Sequence, residues 1–153
     1  MTTVELTANL DGQSYPIIIG PDLIERIPSQ IASFTDSRRI FLLSDAVFKN
    51  SYSAELERCF RNQGFEVTLF FIGGGKANKT IHTALRILDT LESMEFTRDA
   101  TLIALGGGIV GDVGGFVAAT FLRGMNLIHI PTTITGQVDG AIGGKVAVNH
   151  NDT

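Results

Sequence analysis

A chain of 153 residues with 44% hydrophobic content is long enough to bury one core and sits near the commonest size of a single domain. Its 12 Lys and Arg against 16 Asp and Glu, a formal charge of -4, exclude the broad basic surface that nucleic acid or an anionic membrane selects. The single cysteine, Cys59, has no internal disulfide partner, residues 1–10 lack the basic and apolar regions of a secretion signal, and no window approaches the roughly 18 uninterrupted apolar residues of a spanning helix. The expectation is one cytoplasmic domain with no membrane anchor and no nucleic-acid partner.

Val4, Leu6, Ala8 and Leu10 alternate with polar residues, Asp11-Gly12 follows, and a second extended run covers residues 15–19, which predicts an N-terminal β-hairpin. After Gly20-Pro21, the residues Ile24, Ile27, Ile31 and Phe34 keep helical spacing, and Pro28 among them predicts a kink or a split. From there strands and helices alternate: strand at 40–43, helix at 52–61, strand at 67–72, helix at 80–94, strand at 101–105. Ile81, Ala84, Leu85, Leu88 and Leu91 form the apolar stripe of the longer helix. The strands are continuous apolar runs, as belongs to strands covered on both faces, so the pattern predicts a mainly parallel, doubly wound α/β sheet with right-handed crossovers. The chain has no internal repeat and no low-complexity tract.

The run GGGIVGDVGG at 106–115 follows the fifth apolar strand-like run and satisfies G-x-G-x-x-G, with a helical stretch predicted over 116–122. Glycines let a backbone turn tightly and approach a pyrophosphate, whose charge the free N–H groups of the next helix attract. The usual Rossmann fingerprint sits in the first βα unit with an acid about 20 residues on. Here the motif comes late, and the strand at 127–130 ends in Pro131-Thr132-Thr133 without an acid. The alternative is that Gly114 and Gly115 only permit close helix packing while the earlier glycines make a tight connection. Three consecutive glycines followed by Gly111-Asp112 at a strand's C-terminal end favour a phosphate site. His82, His129 and His150 lack the spacing of a metal pair; His82 is expected to face solvent, His129 to be packed, and Cys59 to be a core thiol.

The block from Gly106 to Asn149, reading GGGIVGDVGGFVAATFLRG, then PTTITGQVD, then GGK followed by VN, closely resembles the signature of 3-dehydroquinate synthases in order and spacing. Upstream, Ser44-Asp45 matches a strand end where the family places an aspartate near adenosine, and Lys79 matches the lysine of its G-E-x-x-K turn. The resemblance implies a Rossmann-like domain binding NAD through Asp45, Lys79, Gly106, Gly107, Gly108, Ile109, Gly111, Asp112, Thr132 and Thr133. It further implies that Asp139 and Lys145 line the site between cofactor and substrate, Lys145 also reaching the nicotinamide, and that Arg123 crosses a homodimer interface toward substrate phosphate.

The implied parent enzyme is a carbon–oxygen lyase of the shikimate pathway that converts 3-deoxy-arabino-heptulosonate 7-phosphate to 3-dehydroquinate and phosphate. It uses NAD and a divalent metal, zinc or cobalt, whose glutamate and histidine ligands lie in a helical C-terminal domain. Residues 1–153 are thus expected to be the single nucleotide-binding domain of a two-domain enzyme, a fragment inactive alone, with no metal ligand of its own. The sequence departs from the family pattern at Lys76, where a glutamate is usual; at Ala46-Val47, where an asparagine is; at Gly140 and Ala141, where serines are; and at Val146 in place of threonine. The cation at Lys76 opens the choice between NAD and a 2′-phosphorylated nucleotide. The lost hydroxyls leave as alternatives a sibling NAD-using sugar-phosphate cyclase, a polyol dehydrogenase, or a non-catalytic nucleotide-binding fragment.

Overall fold

Ile40, Phe41, Leu42 and Leu43 have no exposed surface, and a strand with four successive buried side chains must be covered on both faces. A computed structural model describing residues 2–10 and 13–150 places them in the middle of a four-stranded parallel sheet. The chain order is β1 (Val4–Leu10), β2 (Gln13–Ile19), α1 (Ile27–Ile31), β3 (Arg39–Asp45), α2 (Tyr52–Asn62), β4 (Glu66–Ile72), α3 (Ile81–Ser93), β5 (Thr101–Gly106), α4 (Gly108–Thr120) and β6 (Asn126–Pro131). The sheet runs β4-β3-β5-β6, with Ile40 paired to Val67 on one side and to Thr101 on the other.

Side chains alternate across β3 and β5, so two cores form. Phe41, Leu43, Leu102 and Ala104 pack with Ala84, Ile87 and Leu91 of α3 and Val110, Val113 and Val117 of α4. Ile40, Leu42, Ile103 and Leu105 pack on the other face with Ile31 of α1 and Leu56 and Phe60 of α2. The chain moves from β3 out to β4 by α2, then back past β3 to β5 and on to β6 by α3 and α4 on the opposite face. Changing face when the direction reverses is what crossovers of one hand require. The doubly wound parallel sheet expected from the sequence is therefore the fold.

The hairpin is present as an antiparallel pair with Val4 opposite Ile19, and its expected Asp11-Gly12 turn lies outside the described residues. Pro28 does split its segment: a 3-10 turn covers Ile24–Arg26, and α1 carries the proline in its first turn, where a missing N–H costs nothing. That helix stops at Ile31, and Phe34 is exposed. The apolar stripe of α3 needs correction: Thr83, Ala84, Ile87 and Leu91 are buried while Leu85 stands out at 46% exposure. Cys59 is only half-buried, because Leu56 and Phe60 take the centre of the buried face of α2. The largest correction concerns α4, which begins at Gly108 and ends at Thr120, so most of the glycine run is helix rather than turn. Gly114 explains how. A Cβ there would stand 2.9 Å from Ala104 Cβ and 3.2 Å from Leu43 Cδ2, so glycine lets the helix lie directly on the sheet.

Candidate functional site

All four parallel strands end at the same edge of the sheet. Because β3 leads outward to β4 and the chain then returns to β5, the crevice beyond Asp45 and Gly106 is the topological switch point, where open α/β sheets bind ligands. Gly106 is buried at the end of β5, and Gly107 caps α4 in an extended conformation. Gly111 N–H closes the first turn onto the Gly107 carbonyl at 3.1 Å, and the N–H groups before it have no partner within the helix. A Cβ at Gly108 would meet nothing within 4 Å, so the backbone there is open to a ligand. An open first turn with its positive dipole end at a switch point fits a phosphate. Ile109 turns away, half-buried against the α3 and α4 core.

Around that turn the expected residues gather unevenly. Asp45 ends β3; its Oδ1 accepts from Val47 N–H at 3.0 Å, and its Oδ2 lies beside the Gly73–Gly75 turn, 3.4 Å from where a Gly74 Cβ would be. Lys79 Nζ and Asp112 Oδ2 form an ion pair at 2.5 Å with both side chains about three-quarters covered. The lysine thereby offsets a carboxylate that would otherwise repel an anion at the start of α4. Lys76 is exposed in a 3-10 turn at Lys76–Asn78. Thr132 N–H reaches the Gly106 carbonyl at 2.9 Å and ties the ends of β5 and β6. The Thr133 hydroxyl accepts from Gly136 N–H at 3.1 Å, so part of its bonding capacity starts the following helical turn rather than waiting for a ligand.

That turn is a π-helical segment at Gly136–Gly140 that folds back on α4, bringing Gly140 within 4.0 Å of Gly108 Cα by its projected Cβ. Asp139 and Lys145 are joined in an exposed ion pair. The chain then returns along the top of the helices: Val146 fills the space a side chain on Gly115 would need, and Asn149 bonds Lys79 and Ile81 of the α3 approach through its N–H at 2.9 Å and its carbonyl at 3.0 Å. Arg123 does not join the cluster. It follows α4 at the opposite end of the sheet, exposed and in the left-handed region at φ 67°.

The sequence led to a packed His129 without a site role; its half-buried ring lines the crevice with Gly106, Gly107, Gly111 and Gly140, its Nδ1 3.5 Å from a projected Gly111 Cβ. Burial pushes the imidazole below its ordinary pKa, and the nearby Asp112 carboxylate partly offsets that. Its place in β6, with helix α4 packed on that face, is the signal that could have found it. Among the described residues no three His, Cys, Asp or Glu side chains come together where they could hold a metal ion.

The arrangement defines a doubly wound α/β domain whose ligand crevice opens at a glycine-started helix. More particularly, the chain belongs to the family described as 3-dehydroquinate synthase N-terminal, whose model matches residues 69–153. It is 39% identical over 150 residues to a 3-dehydroquinate synthase of Pelotomaculum thermopropionicum, covering 98% of this chain and 40% of that protein. A second such synthase, from Acetivibrio thermocellus, is 41% identical, with coverage of 98% and 41%. The chain thus spans about 40% of the length of the curated relatives it matches. Among solved structures, a 2-epi-5-epi-valiolone synthase from Streptomyces hygroscopicus, with NAD+ and Zn2+ bound, superposes with a TM-score of 0.79 at 27% identity over 93% of this chain and 39% of that one. A 2-deoxy-scyllo-inosose synthase complexed with carbaglucose-6-phosphate, NAD+ and Co2+ shares the fold at a TM-score of 0.85 and 24% identity, over 95% and 40%. No helix among the described residues is long and apolar enough to cross a membrane.

Proposed function

We propose that this chain is the nucleotide-holding domain of a 3-dehydroquinate synthase, a cytoplasmic homodimer acting on 3-deoxy-arabino-heptulosonate 7-phosphate with NAD and a divalent metal. The observation that carries the reading is the open first turn of α4 at Gly107 and Gly108, set at the switch point between β3 and β5. There the free N–H groups would take the pyrophosphate, with Lys79 neutralising Asp112 alongside. Asp45, at the end of β3, is placed to accept ribose hydroxyls through Oδ2. Thr132 and Thr133, which tie the end of β6 to β5 and start the following turn, would offer backbone and hydroxyl groups to the cofactor, and the exposed Asp139–Lys145 pair would face the substrate. A nicotinamide bound in this crevice supplies reversible hydride transfer, and the domain's share is to orient it. Arg123, far from the crevice and exposed, fits a role toward a second subunit's substrate phosphate, where a forked guanidinium suits the task.

Titration calorimetry with NAD and NADP tests this. The chain is expected to bind nucleotide, with Asp45→Ala weakening binding about tenfold through the loss of a hydrogen bond to a charged group, and Lys79→Ala by a similar factor because Asp112 then stands uncompensated beside the phosphate. Heat from neither nucleotide would overturn the assignment and leave a non-binding relative of the family. Preference for NADP, reversed by Lys76→Glu, would assign a 2′-phosphate to Lys76. Turnover by these 153 residues alone would refute the division of labour. One second reading has its own support: Gly140 and Ala141 line the crevice without hydroxyls, which suits a sibling sugar-phosphate cyclase of different substrate. A panel of sugar phosphates presented to the enzyme separates the two.

A further inference from the structure

Gly143 and Gly144 are consecutive, exposed and left-handed, at φ 85° and 68°. Lys145 follows them directly. Two such glycines are the costliest residues to hold in one conformation, so a lysine that must point at one atom needs its glycines fixed. Before them the chain is held where Gly140 approaches Gly108, and after them where Val146 packs on Gly115 and Asn149 pairs with Lys79 and Ile81. Between these points the Ala141 and Ile142 N–H groups close the π-helical turn onto the Gly136 and Asp139 carbonyls at 2.9 and 3.1 Å, Asp139 pairs with Lys145, and one bond reaches the glycine pair from outside: Gly143 N–H donates to the Tyr15 hydroxyl at 2.8 Å. Tyr15 lies on β2, opposite Ala8 of β1, 128 positions away in the chain. The hairpin is itself tied to the body by Arg26 Nη1 donating to the Thr3 hydroxyl at 2.9 Å.

We infer that Tyr15 is a positioning residue for Lys145, a hydroxyl on the N-terminal hairpin that fixes the Gly143-Gly144 turn from which the lysine projects. The inference rests on the reading that Lys145 works at the substrate side of the site. It gives the hairpin, which lies outside the parallel sheet, a functional reason to be there. The phenol oxygen gives the N–H of the exposed, left-handed Gly143 its acceptor, while the aromatic ring limits where that oxygen can be.

The test is Tyr15→Phe in the enzyme that carries this chain, beside Lys145→Ala, read by amide hydrogen exchange, by turnover and by affinity for ADP-ribose, a probe that stops short of the nicotinamide. Exchange at Gly143 is expected to quicken about fivefold, the effect of one net hydrogen bond, while the amides of β5 stay unchanged. Turnover should fall by a similar factor with ADP-ribose affinity intact. Unchanged exchange at Gly143, or exchange quickened equally in β5, overturns the inference, the second because it marks general loosening. Local quickening with undiminished turnover, where Lys145→Ala is inactive, also overturns it. Full activity of Lys145→Ala sinks the assignment of Lys145 and the inference with it, a failure distinguished from the others because the Gly143 result is read independently.

Discussion

Gly114 has no side chain because α4 lies too close to β5 and β3 to admit one. Alanine is the better helix former by about 1 kcal/mol, so an exposed glycine-to-alanine change inside a helix ordinarily stabilises. Here the new Cβ would meet Ala104 Cβ at 2.9 Å and Leu43 Cδ2 at 3.2 Å, and the first of these sits rigidly on its strand. Overlap wins, and Gly114→Ala is expected to destabilise by about 1–3 kcal/mol, seen as a lower denaturant midpoint with an unchanged slope. Gly108 is the opposite case. With nothing within 4 Å of a projected Cβ, its substitution should leave the folded body intact and act on the ligand instead. Two glycines of one run thus answer the sequence's open question separately, the later one serving packing and the earlier one leaving room.

At the scale of elements, α3 shows what local chemistry contributes. The Thr80 hydroxyl caps it by accepting from Thr83 N–H at 3.2 Å, and Thr80→Ala is expected to cost about 1 kcal/mol in thermal or denaturant unfolding. Thr80 also sits where Asn149 pairs, so the loss should appear first as fraying of residues 79–81 against the returning segment. Strands β3 to β6 were legible in the sequence because their apolar residues run almost without a break, and α3 because its apolar residues recur at helical spacing. The start of α4 was not, since glycine is a poor helix former and only the contact with Leu43 and Ala104 makes it the right residue. Leu85 misled for a related reason: five apolar residues at helical spacing exceed what the face toward the sheet can cover, and Thr83 and Ile87 took the covered places. The order of strands in the sheet has no local signature at all. For the site, the resemblance named Asp45, Lys79 and Gly106 to Asp112; the structure sets Asp45 at the end of β3 beside the Gly74 turn and pairs Lys79 with Asp112, while Ile109 packs into the core. The contact of Tyr15 with Gly143 joins distant segments and left no pattern to read.

The whole molecule's stability is tied to proton binding through His129. Burial holds its folded pKa below the ordinary value of about 6.5, so between those two values the unfolded chain binds the proton that the folded one refuses. Its contribution is therefore complete above pH 6.5 and is lost as the pH falls through that window. Melting temperature is expected to drop as the pH is lowered from 7.5 to 5, and His129→Gln should flatten that part of the curve. A slope unaltered by the substitution would assign the effect to another group. Asp99, held below the usual carboxylate range chiefly by the Thr97 hydroxyl and its own backbone N–H, acts only in more acid solution, and being almost wholly solvated it adds little.

The strand order has a consequence in time. Strand β3 meets β4 after one short crossover, but its other edge waits for β5, whose Thr101 pairs with Ile40 only when the whole of α2, β4 and α3 has been made. Until then the most apolar strand of the chain, Ile40 to Leu43, shows an unpaired edge to its surroundings. A chain in synthesis therefore carries that sticky border until β5 follows, and the yield of refolding is expected to fall as the chain concentration rises, measured as recovered native protein against concentration.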